Sequence, residues 1–326
     1  LGAGLLIGFI NGALVAWLAL RHVPESRAPS SAGRLDYAGA TTATAGLAGA
    51  TVAFVEGPNR GWDSPVVLAA GVLGAVAMVA FVVIERRTAN PMLPLGIFSS
   101  RQFTSANAVT FVVYTALGGV FFLLVVVLQT ALGYSPVAAG AASLPVTAIM
   151  LALSSASGAL AQRIGPRLPL TIGPLVIAAG MVLMTRIGPG ASYGTVVLPA
   201  VVVFGLGLAA TVAPVTAAAL AAADERHAGV ASGVNNAVAR TAGLLAVALL
   251  PPLSGLTGDA FRSPAAITAG FHTAMLISAG LAALGGVLAF ATISNDLLAE
   301  EPAEEPQNHH YHCALAEVPA AERGGS

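Results

Sequence analysis

The sequence predicts an all-α polytopic membrane protein with about nine transmembrane helices. Of its 326 residues, 56% are hydrophobic and 9% are charged, about a third of the charge that soluble domains carry. The mean hydropathy is +0.83. The apolar residues form long stretches instead of being spread evenly along the chain, and this pattern is typical of helices that cross a bilayer.

Nine stretches are long enough to cross the hydrocarbon core, for which an α-helix needs about 20 apolar residues. Lipid offers the backbone no hydrogen-bond partners, so a spanning segment must satisfy its own amides and carbonyls. Runs such as 112–129 do not alternate between polar and apolar residues, which favours helices over barrel strands. The predicted spans are 3–20, 38–55, 66–84, 106–129, 137–161, 168–185, 195–221, 228–250 and 271–292.

The composition excludes several classes of protein. A net charge of −1 gives no basic face for nucleic acid, and Cys313 is the only cysteine, so no disulfide scaffold is expected. Phosphate loops, nucleophile elbows and paired buried carboxylates are not evident. We therefore expect neither an enzyme nor a cofactor. A membrane-embedded enzyme is disfavoured because the spans lack acids in catalytic spacing.

Arginine positions predict the orientation, because cytoplasmic loops are enriched in basic residues. If the first span ends in the cytoplasm, nine arginines lie on inner loops and three on outer loops. The C-terminal tail is then cytoplasmic. The inner set is Arg21, Arg27, Arg34, Arg86, Arg87, Arg101, Arg163, Arg167 and Arg226, and the outer set is Arg60, Arg186 and Arg262.

Helices in lipid associate where small residues let their backbones approach closely. The glycine pairs at 118–119, 205–207 and 280–285 are predicted to make such contacts.

Several stretches, in this order and spacing, resemble drug:proton antiporters of the 14-helix branch of the major facilitator superfamily. The match covers about residues 9–292. The segments that carry it are Phe9-Ile10-Asn11-Gly12, Leu20-Arg21-His22-Val23-Pro24-Glu25-Ser26, Leu35-Asp36-Tyr37-Ala38-Gly39-Ala40, Glu56-Gly57-Pro58-Asn59-Arg60-Gly61-Trp62, Asn90-Pro91-Met92-Leu93-Pro94-Leu95 with Phe98, Leu132-Gly133-Tyr134-Ser135-Pro136 with Ala139-Gly140 and Leu144-Pro145, residues 158–167, and 228–236 with Arg240.

The resemblance implies an organisation in which five of fourteen helices precede this sequence, which we expect to be N-terminally truncated. Residues 1–20 would be the last helix of an incomplete N-terminal half, and 38–84 two extra central helices. Residues 106–292 would form the C-terminal six-helix bundle of the major facilitator fold. The segments between them, 21–37 and 85–105, would be cytoplasmic loops, and 293–326 a disordered cytoplasmic tail.

A short motif between two predicted spans resembles the inner-loop motif of the superfamily: Gly158, Gln162, Arg163, Gly165 and Arg167. Its glycines allow a tight turn, and its arginines suit the cytoplasmic end of a helix. In the family an acid normally stands where this chain has Gln162, and glutamine cannot form an ion pair. A gate latch and a simple positive-inside turn are both open interpretations.

Arg240 lies inside a predicted span, where a charge is costly and indicates function. It either faces the bundle interior or a wet cavity, or it snorkels to the inner interface. Asn236 stands one turn before it on the same face. Together with Asn235 and Pro214, these residues are candidates for gating or packing, since proline can bend a helix.

Asn107, Tyr114 and Gln129 are polar residues of the fourth predicted span and are candidates for lining a substrate cavity. Asn107 and Tyr114 are two turns apart and share a face. Gln129 stands near the outer end, where an interface anchor is an equal alternative.

No acid is clearly placed inside the predicted spans, so the proton-coupling acids of such an antiporter would lie in the absent half. Glu56 is expected to be a loop residue.

A cluster in the tail has the residue types of a zinc site, but its polar surroundings predict disorder and no metal site is expected. Its members are His309, His310, His312 and Cys313.

The predicted function is efflux of small amphiphilic compounds from the cell membrane, driven by protons through alternating access in the full-length parent. The expected partners are the lipid bilayer, the substrate and protons. This chain alone is expected not to transport, because one wall of the cavity is absent. The alternative is a non-transporting remnant, or a half-transporter that needs a separately encoded N-terminal half.

Overall fold

The computed structural model describes residues 2–22, 36–88, 91–224 and 227–298. Within these ranges the chain forms α-helices and short 3-10 or π-helical turns, with no β-strand. The helices are α1 (Gly2–His22), α2 (Tyr37–Arg60), α3 (Pro65–Arg87), α4 (Arg101–Gly118), α5 (Val120–Thr130), α6 (Pro136–Ala141), α7 (Leu144–Ile164), α8 (Arg167–Met184), α9 (Leu198–Ala221), α10 (Ala228–Leu253) and α11 (Pro264–Thr292).

The predicted all-α membrane fold is confirmed. In the described ranges, eight helical segments are long and apolar enough to cross a membrane, and they coincide with eight of the nine predicted spans. Helix α1 coincides with the remaining predicted span, 3–20, but is not one of these eight segments. One span consists of α4 and α5, which meet at Gly119, and another consists of α6 and α7. The predicted tail beyond residue 298 lies outside the described residues.

Serine caps set two helix starts earlier than predicted. The span expected at 106 begins with α4 at Arg101, where the Ser100 hydroxyl accepts a hydrogen bond from the Phe103 amide at 3.2 Å. The span expected at 271 begins with α11 at Pro264, just after the capping residue Ser263. Hydropathy alone misses these polar first turns, whereas a serine cap, and in α11 a proline in the first turn, specify them.

The helices run alternately up and down and pack in an order that differs from their order in the chain. Side by side, the main contacts run α7–α9–α8–α11–α4–α10, and α10 also contacts the α2–α3 pair. Phe103, Phe204 and Phe271 are among the largest fully buried side chains. The described side chains of α1, Phe9 and residues 12–22, are exposed.

Glycine permits the closest helix contacts. A Cβ on Gly180 would lie 2.6 Å from the backbone nitrogen of Phe204, and one on Gly118 would lie 2.7 Å from the carbonyl oxygen of Gly243. The predicted contacts at 118–119 and 205–207 are therefore confirmed. At 280–285 only the second glycine makes one, against Val113, because Gly280 faces open space.

Helices α2 and α3 form a hairpin with the same kind of contact. A Cβ on Gly49 would lie 2.6 Å from the Cα of Gly74, so neither position has room for a side chain. Asp36 begins α2 as its N-cap and accepts a hydrogen bond from the Gly39 amide at 2.7 Å.

The α8–α9 contact predicts a sharp difference between two glycines. Gly180→Leu should lower the thermal midpoint of the purified chain in detergent, because overpacking of this kind costs about 1–3 kcal/mol. Gly280→Leu is the matched control, since a Cβ there meets nothing within 4 Å. Equal midpoints for the two variants, measured by differential scanning fluorimetry, would contradict the packing described here.

Candidate functional site

A buried polar cluster joins α4 to α10. The side-chain amide of Asn235 donates to the hydroxyl oxygen of Thr110 at 2.9 Å and to the amide oxygen of Asn107 at 3.3 Å. The Asn107 amide donates in turn to the Phe103 carbonyl oxygen at 2.9 Å, and Thr110 donates to the Ala106 carbonyl oxygen. All three side chains are buried. The cluster fixes the register of two helices that have no other buried polar side chains facing each other in the described residues.

This cluster unites residues that the sequence placed in separate groups. Asn107 was predicted to line a cavity, yet the structure places it in the helix contact rather than at an open surface. Asn235 was predicted to serve gating or packing, and the structure gives it a packing contact. Thr110 was missed, although it follows Asn107 by one helical turn and so shares its face.

Tyr114 and Arg240 lie on these same two helices, farther from their starts. Tyr114 is half-buried on α4, whereas Arg240 and Asn236 are exposed on α10. Tyr114 and Arg240 both lie between the Asn235–Thr110 hydrogen bond and the Gly118–Gly243 contact, so they are at the same level of the α4–α10 pair. Next to the buried amide cluster along this pair lies a polar strip, which we define as Tyr114, Asn236 and Arg240.

The remaining candidates of the spans lie apart from this strip. Pro214 is buried inside α9, and Gln129 is half-buried near the end of α5. Glu56 was expected in a loop, but it belongs to the last turns of α2 and forms an ion pair with Arg60. The prediction failed there because Pro58 does not end the helix.

The inner-loop motif docks onto the end of α11. Gly165 has φ +84° and stands so close to Asn295 that a Cβ would lie 2.7 Å from the Asn295 Cβ. The guanidinium of Arg167 donates to the Phe290 carbonyl oxygen at 2.8 Å and stacks on the Phe290 ring at 4.3 Å. Neither Phe290 nor Asn295 was singled out from the sequence, because both lie more than a hundred residues downstream.

The rest of the motif makes no such contact. Gly158 is half-buried, and Gln162 and Arg163 are exposed. Among the described residues neither of these two side chains has a recorded hydrogen bond or ion pair. The motif therefore contacts α11 through Arg167, which binds the backbone and the ring of Phe290.

The same end is held by two further polar contacts. The Ser100 hydroxyl donates to the Ala222 carbonyl oxygen at 3.1 Å, and Gln102 bridges the end of α11 through its amide. The starts of α4 and α8 and the ends of α9 and α11 thus meet at one face, where Arg101, Arg163 and Arg167 also lie. The His309–Cys313 cluster lies outside the described residues, within which no group of three metal-ligating side chains occurs.

Long apolar helices with buried amides between them and an arginine within a span indicate a polytopic membrane protein. Residues 1–248 match the family model of the Major Facilitator Superfamily. The chain belongs to this superfamily of membrane transporters and is a multi-pass membrane protein. The resemblance to the major facilitator superfamily seen in the sequence is confirmed at the level of the superfamily.

Its relatives include proteins of drug resistance and efflux. The chain is 36% identical to the puromycin resistance protein of Streptomyces alboniger over 87% of this chain and 58% of the relative. It is 32% identical to the multidrug resistance protein Stp of Mycobacterium tuberculosis over 69% of this chain and 42% of the relative. For the tetracenomycin C resistance and export protein of Streptomyces glaucescens the identity is 30%, over 78% and 48%. The chain thus spans about half the length of these relatives.

The buried cluster predicts unequal effects at neighbouring asparagines. Asn235→Ala should lower the stability of the chain by about 1–3 kcal/mol, because it removes two bonds and leaves the Asn107 oxygen buried without a donor. Asn236→Ala, one residue on and exposed, should change it by less than about 0.5 kcal/mol. Thermal midpoints in detergent test this, and a larger effect at Asn236 would refute the assignment.

The motif contact predicts a similar contrast between two arginines. Arg167→Ala should cost about 1–2 kcal/mol, since it removes a charge-assisted bond and the ring contact at a partly exposed site. Arg163→Ala removes an exposed side chain on the same turn and should be near neutral. If both substitutions shift the thermal midpoint equally, the loss of positive charge, and not the α11 contact, is responsible.

Proposed function

We propose that this chain forms the C-terminal part of a proton-coupled efflux transporter for small amphiphilic compounds in the cell membrane. In this proposal the transporter belongs to the 14-helix branch. Helices α4 to α11 rock against further helices in alternating access, with α2 and α3 as the two extra central helices. The arginine-bearing loops and the C-terminal tail face the cytoplasm.

The observation that carries this proposal is the polar strip of Tyr114, Asn236 and Arg240. Arginine at this depth in a bilayer is costly when it faces lipid, so it faces protein or water in a working membrane protein. In the described bundle Asn236 and Arg240 are exposed and Tyr114 is half-buried. Its natural environment is therefore a wet cavity closed on the other side by further helices, and such a cavity is what alternating access requires.

The substrate class is inferred from the relatives and from the lining. Relatives that match 69–87% of this chain are named for resistance to puromycin, for multidrug resistance and for export of tetracenomycin C. The strip offers hydrogen-bond donors and one positive charge between apolar helices, which suits amphiphilic molecules. Protons are proposed as the driving ion on the family resemblance.

There are two alternatives to this function: the chain is a half-transporter, or it does not transport. In a half-transporter, the strip would face helices of a separate polypeptide. In a non-transporting chain, Arg240 would serve packing alone. The transport assay below separates these outcomes.

The test is dye export from cells that express this chain alone and cells in which it is joined to the coding sequence upstream of it. We expect lower dye accumulation only with the extended product, and a protonophore should abolish the difference. Arg240→Gln should reduce export about tenfold, the loss expected when a charged hydrogen-bonding group is removed. Arg186→Gln, in an exposed loop, is the matched control.

Each result has a definite meaning. Export by this chain alone would refute the requirement for further helices. Export that a protonophore leaves unchanged would refute proton coupling. Unchanged accumulation with both products, at confirmed membrane expression, would favour a non-transporting chain.

A further inference from the structure

Two carboxyl groups that are 49 residues apart in the chain meet between the start of α2 and the end of α3. Asp36 caps α2 through its Oδ1, and Glu85 lies in the last turn of α3 with 4% of its surface exposed. The Oδ2 of Asp36 and the Oε1 of Glu85 are both buried, and neither has a hydrogen-bond partner. Paired carboxylates were not evident from the sequence, and the contact between these two appears only in the structure.

The two unpartnered oxygens point to the same place. Each lies 2.7 Å from the position that a Cβ on Gly39 would occupy. They are consequently no farther apart than twice that distance, and the missing side chain of Gly39 leaves the space between them free. The pair would be separated by any other residue at position 39, since a Cβ there would contact both oxygens.

The other oxygens of the pair already have structural roles. The Oε2 of Glu85 accepts a hydrogen bond from the Leu93 amide at 3.1 Å, which ties the loop that leads into α4 to the end of α3. The Oδ1 of Asp36 holds the first turn of α2. The two carboxyl groups thus join the α2–α3 hairpin to the entrance of the six-helix bundle.

No positive charge among the described residues neutralises the pair. Arg86 and Arg87, which follow Glu85, are exposed. Neither Asp36 nor Glu85 takes part in an ion pair with the arginines of α2, α3, α4 or α10, which are Arg60, Arg86, Arg87, Arg101 and Arg240. Arg34 lies outside the described residues.

We propose that Asp36 and Glu85 form a proton-binding site, in which one shared proton bridges the Oδ2 of Asp36 and the Oε1 of Glu85 at neutral pH. Two ionised carboxylates this close repel each other, and their two facing oxygens are buried without a donor, so one of them retains its proton. The protonated group donates its O–H to the other, and both orphaned oxygens gain a partner. At alkaline pH the proton leaves to water and the repulsion loosens the start of α2 from the end of α3.

This inference does not rest on transport activity. It concerns proton binding by the folded chain and can be read from the purified protein. Its failure would leave the proposed efflux function intact, and a failure of efflux would leave the proton site intact.

The direct test is infrared spectroscopy of the purified chain in detergent at neutral and alkaline pH. Wild type should show the carbonyl stretch of one protonated carboxyl group at neutral pH, sensitive to deuterium exchange and absent at alkaline pH. Asp36→Asn and Glu85→Gln should each lack this band, because an amide N–H takes the place of the shared proton. Asn also preserves the cap of α2. Asp63→Asn, at an exposed acid in the turn after α2, is the matched control and should retain the band.

Three outcomes would overturn the proposal. Absence of the band from wild type at neutral pH would show that both groups are ionised, and this reading requires no variant to fold. Persistence of the band in both amide variants would place the proton elsewhere. Persistence in Asp36→Asn alone, or in Glu85→Gln alone, would show that a single carboxyl holds the proton by burial without sharing it.

Thermal stability gives an independent readout with a defined sign. The folded chain retains a proton that the unfolded chain releases. The stability that this shared proton contributes is therefore fully present below the pKa of the unfolded carboxyl groups and is lost as pH rises until the folded chain also releases the proton. The thermal midpoint of wild type should drop by about 2–4 °C more than that of the two amide variants between neutral and alkaline pH. Parallel pH profiles for all three proteins would contradict a shared proton.

Discussion

Close backbone contact between helices is the constraint on which the structure depends. Because lipid is as apolar as the side chains, burying those side chains supplies little drive, and the helices must gain van der Waals contact instead. Glycine makes this contact possible at Gly118 against Gly243, at Gly180 against Phe204 and at Gly49 against Gly74. These contacts join α4 to α10, α8 to α9 and α2 to α3.

The polar side chains of α4 and α10 are of two kinds: those that form hydrogen bonds between the helices and those that do not. Asn235 donates hydrogen bonds to Asn107 and Thr110 between α4 and α10, and these bonds specify the register of the two helices. Arg240 is exposed a little farther along the same helix, and its charge requires an environment that lipid does not provide. The first kind holds the bundle together, and the second indicates the face that meets water or further helices.

The end of the bundle that carries the arginines shows how a family motif is used by a particular chain. Gln162 cannot form an ion pair, and its side chain makes no hydrogen bond to the described residues. Arg167 instead binds the backbone and the ring of Phe290, and Gly165 lets Asn295 approach. At the neighbouring hairpin, Glu85 holds the loop that leads into α4. The loops at this end are thus fastened by side chains that reach across helices.

Hydropathy by itself determined the fold class, the membrane as solvent and the positions of the spans, because a stretch of about 20 apolar residues has one stable way to exist in lipid. It also singled out Asn107, Asn235 and Arg240, since a polar residue in such a stretch is conspicuous. Only the tertiary structure decided which of them meet. Asn107 and Asn235 are 128 residues apart, and Asp36 and Glu85 are joined only when α2 folds back on α3. Local patterns specify local structure, whereas the contact between two distant helices depends on where their glycines permit approach, and that is a property of the packed bundle.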